Sequence, residues 1–169
     1  AECGDLARLS LPDGKVTAAS VVAAGAFQQP GPAGAPPGIG AGRFGELPAF
    51  CRVQLTLTPS ADSDIKSEVW LPASGWNGKY VGIGNSVWAG SISYGEIASA
   101  LARGYAVAAT DTGHTGNGMT GDFAVGHPEK LVDFGYRAVH ETTVAAKRVI
   151  EAFYGNGPKL SFWNSCSTG

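Results

Sequence analysis

The chain has 169 residues, 44% hydrophobic and 15% charged, which is the composition of a globular protein able to bury a single core. Twelve Lys+Arg against 14 Asp+Glu give a formal net charge of -2, so there is no basic stripe for nucleic acid and no polybasic anchor for a membrane, and a small, neutral or weakly polar partner is expected. No apolar run reaches the roughly 18 residues needed to span a bilayer, and Ala1-Glu2-Cys3 lacks the basic and apolar regions of a signal peptide, so the start reads as a mature end after processing.

Residues 6–17 and 19–26 read as short strands around a turn at Pro12-Asp-Gly14. The composition then shifts to a Pro/Gly-rich loop over 29–42, where Pro removes backbone donors and Gly raises the entropy cost of order. Residues 50–58 alternate at period two, as do 67–72, which predicts the first two strands of a sheet, antiparallel and near its edge, before a turn over 73–78.

From Lys79 the pattern becomes regular βαβ. A strand over 79–83 leads into a loop at 84–90, then a helix over 94–103 that Gly104 terminates. The apolar run 105–110 is a buried parallel strand, and a Gly-rich loop follows over 111–127. A long amphipathic helix is predicted over 131–154, with Leu131, Phe134, Ala138, Ala145, Val149 and Phe153 on one face and Gly155-Asn-Gly-Pro158 as its stop. The segment 159–164 reads as a buried strand that delivers Ser165-Cys-Ser-Thr-Gly169.

That ending has the spacing of a nucleophile elbow, with small residues two before and two after Ser167, although the first of them is Ser165 rather than Gly. A strand ending in a polar turn is the plainer alternative. Ligands of open parallel sheets bind beyond the carboxyl ends of the strands, which puts the loops 84–90, 111–127 and 165–169 on one rim. An oxyanion hole would then use the N–H of Thr168 and that of Ser86 or Val87, with Val87 preferred. Ser86 and Trp88 are candidates for the substrate pocket, and Trp88 could equally pack beneath its loop.

Cys3 and Cys51 are expected to pair, because a crosslink closing about fifty residues would contribute roughly 4 kcal/mol on the chain-entropy model. Two buried free thiols are the alternative. Cys166 is left over, and its position beside the serine points to a partner next to another catalytic residue outside this sequence.

The segments Trp76-Asn-Gly-Lys, Gly84-Asn-Ser-Val-Trp-Ala-Gly-Ser, Ala108-Ala-Thr-Asp-Thr-Gly-His, Asp133-Phe-Gly-Tyr-Arg-Ala-Val-His and Cys166-Ser-Thr-Gly, in this order, resemble the tannases and feruloyl esterases, a group that also includes mono(hydroxyethyl)terephthalate hydrolase. The resemblance spans roughly Cys51 to the terminus. It implies an α/β-hydrolase with a mostly parallel sheet and flanking helices, and Ser167 as nucleophile. It also implies an Asp and a His far downstream, and a disulfide from Cys166 to a cysteine beside that His, none of which is in this sequence. The family pattern has a second glycine after the elbow and often Gly-Gly where this chain has Ser86-Val87.

On that resemblance, residues 1–50 are an N-terminal, β-rich, disulfide-stapled extension, and 51–169 the first part of the hydrolase domain, ending at the elbow. The implied function is a secreted or periplasmic serine carboxylesterase acting on aromatic acid esters, with its remaining C-terminal part as partner. A non-catalytic, disulfide-stapled binding or scaffold module is the alternative from another class. Lipase-like action on acyl chains is a third reading.

In such an enzyme the acid and base follow the serine. None of His114, His127 and His140 is therefore expected to be the base. His114 is expected to hold its own loop by hydrogen bonds, and His140 sits within a helix whose other face is core. No set of residues shows metal-ligand spacing, so no metal or cofactor is expected in this segment. The family's calcium, where it occurs, belongs to a lid inserted after residue 169.

Overall fold

Period-two alternation builds the centre of the molecule. Along β3 (Phe50–Leu57), Cys51, Val53, Leu55 and Leu57 are buried on one face, while Phe50, Arg52 and Gln54 turn to the other. The computed structural model describes residues 1–31 and 44–167, and among these a seven-stranded sheet has the order β1-β2-β3-β4-β7-β5-β9. Its other strands are β1 (Ser10–Leu11), β2 (Gly14–Val22), β4 (Ile65–Pro72), β5 (Lys79–Ile83), β7 (Ala106–Thr110) and β9 (Leu160–Asn164). Two short strands, β6 (Trp88–Gly90) and β8 (Gly116–Gly118), form a separate antiparallel ribbon.

The sheet is mixed, which corrects the expectation of a mostly parallel one. Strands β1 to β4 and β4 with β7 pair antiparallel, and only β7, β5 and β9 run parallel. The reason is connectivity. Short turns join β1 to β2 and β3 to β4, which fixes them antiparallel, whereas helices carry the chain from β5 to β7 and from β7 to β9. Strands β3 and β4 accordingly lie inside the sheet, with β2 and β1 as the outer strands.

The N-terminal stretch departs from expectation in the same region. Residues Cys3–Arg8 form a 3₁₀ helix that buries Cys3 and Leu6, and one strand runs unbroken over Gly14–Val22. Asp5 of the first turn accepts the Glu2 N–H at 3.2 Å, a local cap that competes successfully with strand. The Pro/Gly-rich loop predicted over 29–42 lies largely outside the described residues.

The two faces of the sheet carry separate clusters. Helix α1 (Tyr94–Ala102) buries Ile97, Ala98 and Leu101 against Val81, Ile83, Val107, Phe50 and Trp70. On the opposite face α3 (Ala138–Tyr154) buries Ala138, Ala145, Ala146, Val149 and Ile150 with Val53, Leu55, Val69 and Leu71. The Cys3–Cys51 disulfide, as expected from the sequence, fastens the 3₁₀ helix to this second cluster.

The long helix begins earlier than its periodicity predicts and is interrupted. Helix α2 (Pro128–Val132) runs into a π-helical turn at Asp133–Arg137 before α3. An extra residue in that turn breaks the three- and four-residue spacing. Ala138, Ala145 and Val149 are buried as expected, but Leu131 is exposed. The π turn instead buries the Asp133 carboxylate, which accepts from Arg137 Nε at 2.6 Å.

Gly155 ends α3 in the left-handed region at φ 80°, with its N–H donated to the Glu151 carbonyl at 2.8 Å. A Cβ at Gly155 meets nothing within 4 Å, so the cost of Gly155→Ala is conformational alone. We expect it to be about 1 kcal/mol, read from urea unfolding.

Strand β9 was expected to be buried and is not. Among the described residues it pairs with β5 alone and forms the edge of the sheet opposite β1, with Leu160, Phe162 and Trp163 exposed. Trp163 lies across β5 at Gly82, where a Cβ would come within 2.9 Å of its indole.

Candidate active site

Because β5, β7 and β9 run parallel, the loops that follow them leave one edge of the sheet together. Each of these loops holds one non-glycine residue in the left-handed region: Val87 at φ 47° after β5, Thr112 at φ 63° after β7, and Ser167 at φ 67° after β9. They are the only such residues among the described ones. Each costs on the order of 1–3 kcal/mol, and strain of this kind persists where the surroundings enforce it. For β-branched Val87 the conformation is a genuine outlier. All three strained positions thus fall on one rim.

Ser167 and Cys166 are exposed at the end of β9, and Cys166 is a free thiol. The proposed donor Thr168 lies outside the described residues. Val87 and Ser86 are exposed on the neighbouring loop. Ser86 lines a cleft of about 230 Å³ together with Asn85, Glu96, Asn164, Ser165 and Cys166. Trp88 is 40% exposed, and its ring packs against Phe134 at 4.9 Å between centroids. It therefore both packs under the loop and keeps a free edge.

The loop 84–90 is held by its carbonyl groups. Ser165 Oγ donates to the Asn85 carbonyl at 3.3 Å, and the Ala89 N–H to that of Ser86 at 3.0 Å. His114 Nε2 donates to the Trp88 carbonyl at 2.7 Å, and Thr112 Oγ1 lies 3.4 Å from that of Ala89. The Asn85 amide adds bonds to the carbonyls of Ser91 at 2.9 Å and Thr110 at 3.1 Å. With these carbonyls engaged, the peptide N–H groups are what the loop can offer to an anion. Sequence reasoning missed Asn85 and Thr112 as anchors; the signal available was their place among glycines on loops that leave parallel strands.

None of the three histidines is hydrogen-bonded to Ser167 among the described residues. His114 is buried, stacked on Phe123 at 3.6 Å, and fixed to β6 through Trp88, so it braces the neighbouring loop as well as its own. Its burial, with Lys130 nearby, holds it below the usual histidine range despite the Trp88 carbonyl. His127 pairs with Asp62 at 2.9 Å, and His140 is exposed on α3. No group of three His, Cys, Asp or Glu placed to hold a metal ion occurs among the described residues.

A second cleft of about 500 Å³ opens at the end of β7, lined by Asp64, Lys66, Asp111, His114, His127 and Lys130 among others. Asp111 Oδ1 accepts the N–H of Gly113 at 2.8 Å and of Lys66 at 2.9 Å. Burial nevertheless pushes its carboxyl up to about 6, with Asp64 adding to the rise. A carboxyl whose folded value lies above its unfolded one binds more protons when folded, so its contribution to stability is full in acid and is lost as pH rises through 6. Asp111→Asn keeps an oxygen for both N–H groups and removes the charge. Its Tm relative to the parent is therefore expected to rise between pH 4.5 and 7.5; an unchanged difference would overturn the assignment.

The family model described as tannase and feruloyl esterase matches residues 51–169. The chain belongs to the tannase and feruloyl esterase family. It is 41% identical over all 169 residues to a protein of Xanthomonas campestris pv. campestris named an uncharacterized esterase, of which it covers 28%. Over 120 residues, 71% of the chain, it is 39% identical to the Neosartorya fischeri protein named probable feruloyl esterase B-1, covering 22% of it. Among solved structures, feruloyl esterase B from Aspergillus oryzae superposes with a TM-score of 0.83 and 30% identity over 98% of the chain and 32% of its own. Tannin acyl hydrolase from Aspergillus niger superposes at 0.69 with 18% identity over 98% of the chain and 32% of its own, a likeness of fold. The chain thus spans about a fifth to a third of the length of the relatives it matches.

Proposed function

We propose that this chain is the nucleophile-bearing part of a serine carboxylesterase for aromatic acid esters, feruloyl, galloyl or related, with its acid and base supplied by sequence beyond residue 169. The observation that carries the reading is Ser167 at φ 67°, three residues past the end of β9, in keeping with the strained turn that a nucleophile elbow requires. Membership of the tannase and feruloyl esterase family supports the substrate class, and it does not favour the scaffold alternative.

In this mechanism Ser167 Oγ attacks the ester carbonyl carbon while a histidine of the remaining polypeptide takes its proton. The N–H groups of Thr168 and Val87 hold the oxyanion. Collapse expels the alcohol, which takes the proton from the histidine, and leaves the acyl group on Ser167. Water, deprotonated by the same base, releases the aromatic acid and restores the serine. Ser86 and Trp88 border the acyl group.

Cys166 pairs, in the complete enzyme, with a cysteine beside that histidine. Residues 1–50 form an extension and 51–169 the first part of the hydrolase domain. Any calcium belongs to the lid of the remaining part, and no step depends on it. A structural disulfide fits a secreted or periplasmic enzyme.

A fluorophosphonate probe applied to the complete polypeptide tests the reading. Labelling is expected at Ser167 and lost in Ser167→Ala. A folded complete polypeptide that takes no label at Ser167 would be a binding or scaffold module instead.

A further inference from the structure

The elbow departs from its usual composition at Ser165, and this substitution has a counterpart on the neighbouring strand. Ser165 Oγ and Cβ occupy the place that a Cβ on Gly84 would take, and Trp163 Cζ2 would lie 2.8 Å from that same Cβ. The glycine absent from the elbow is thus matched by a glycine on the facing loop. At this point β5 and β9 are still in register, Ile83 opposite Asn164, and the Gly84 N–H donates to the Asn164 carbonyl at 3.0 Å. One residue further, Ser165 Oγ donates to the Asn85 carbonyl at 3.3 Å.

We propose that Ser165 is a positioning residue for the oxyanion loop, its hydroxyl clamping the Asn85 carbonyl so that Ser167 and the 86–87 peptide groups are held as one unit. This rests on the esterase reading above. The clamp extends the β5–β9 pairing one residue into the loop and does so through a loop carbonyl. The Gly84 N–H ties the start of the loop to Asn164 of β9, while the Asn85 amide reaches Ser91 and Thr110 at the end of β7 and the His114 bond holds Trp88. Only the Ser165 hydroxyl joins the loop's carbonyls to the nucleophile strand among the described residues. The carbonyl of Asn85 and the N–H of Ser86 belong to the same planar peptide group, so holding the oxygen sets the direction of the N–H, and Val87 follows it. A donor misaimed by a fraction of an ångström weakens the tetrahedral state more than the bound ester, since only the former carries the full negative charge.

The test is Ser165→Ala in the complete polypeptide. It removes the hydroxyl and keeps the Cβ that packs on Gly84. We expect kcat on methyl ferulate to fall about three- to tenfold, the range of one neutral hydrogen bond, with KM within twofold. Inhibition by phenylboronic acid, which forms a tetrahedral adduct on the serine, should weaken by the same factor, while product inhibition by ferulic acid stays unchanged. A merely structural role would move both inhibitors together. Undiminished kcat in Ser165→Ala, or equal weakening of both inhibitors, would overturn the clamp while leaving the esterase intact. Failure of the parent to label at Ser167 would remove both.

Discussion

Ser167→Ala in the complete polypeptide is expected to lower kcat on methyl ferulate by about 10⁵- to 10⁶-fold, the scale seen when a triad serine is removed from a serine hydrolase. The size follows from the role proposed for the residue: its Oγ would carry the acyl intermediate, so neither a well-aimed oxyanion hole nor tight binding could replace it. The residual rate should be that of substrate held near water and oxyanion donors. Product inhibition by ferulic acid is expected to persist, because removing one hydroxyl leaves the pocket in place. Turnover within tenfold of the parent would remove Ser167 as nucleophile.

The second large effect is on stability, at Glu68. Its carboxylate is 3% exposed and accepts from Arg52 Nε at 2.8 Å and Nη2 at 2.5 Å, Trp70 Nε1 at 2.8 Å, the Tyr94 hydroxyl at 2.8 Å and Gln54 Nε2 at 3.4 Å. This one residue therefore satisfies donors from β3, β4 and the first turn of α1. Burial first, and then the Glu68 charge, hold the Tyr94 phenol protonated far above its ordinary range, which keeps it a donor at any working pH. Removing the acceptor strands all of them at once. Glu68→Ala is expected to cost about 3–5 kcal/mol, as breaking a buried ion pair from one side does, and Glu68→Gln less. Urea unfolding followed by tryptophan fluorescence checks this; a loss below about 1 kcal/mol would show that the network is not the support described.

The sequence made legible those features that depend on local pattern. Strands β5 and β7, helix α1 and the stop at Gly155 follow from apolar runs and glycines, and the structure has them within a residue or two. The Cys3–Cys51 bond was readable because only two cysteines lie in the N-terminal third. What pattern could not supply is partnership. The sheet reads as mostly parallel when βαβ units dominate the view, but β1 to β4 join it as an antiparallel meander. Leu131 looks like core until the π turn at Asp133–Arg137 shifts its phase. The same limit holds at the candidate site. Spacing proposes Ser167 and Val87, whereas the Ser165 hydroxyl on the Asn85 carbonyl and the His114 bond to Trp88 cross between loops far apart in sequence and leave no local pattern.

Strand β9 has a practical consequence for anyone who makes this polypeptide. Its residues Leu160-Ser-Phe-Trp-Asn164 carry no charge and no proline, and one side of its backbone faces no neighbouring strand among the described residues. Proteins ordinarily blunt such an edge with lysine, proline or a bulge, and here Pro158 and Lys159 stand beside its start while the strand itself carries none. A bare β9 is thus a template for aggregation, and the proposed nucleophile lies just past its end. On the proposed esterase reading, solubility and activity would both depend on this one strand, since Ser167 follows it.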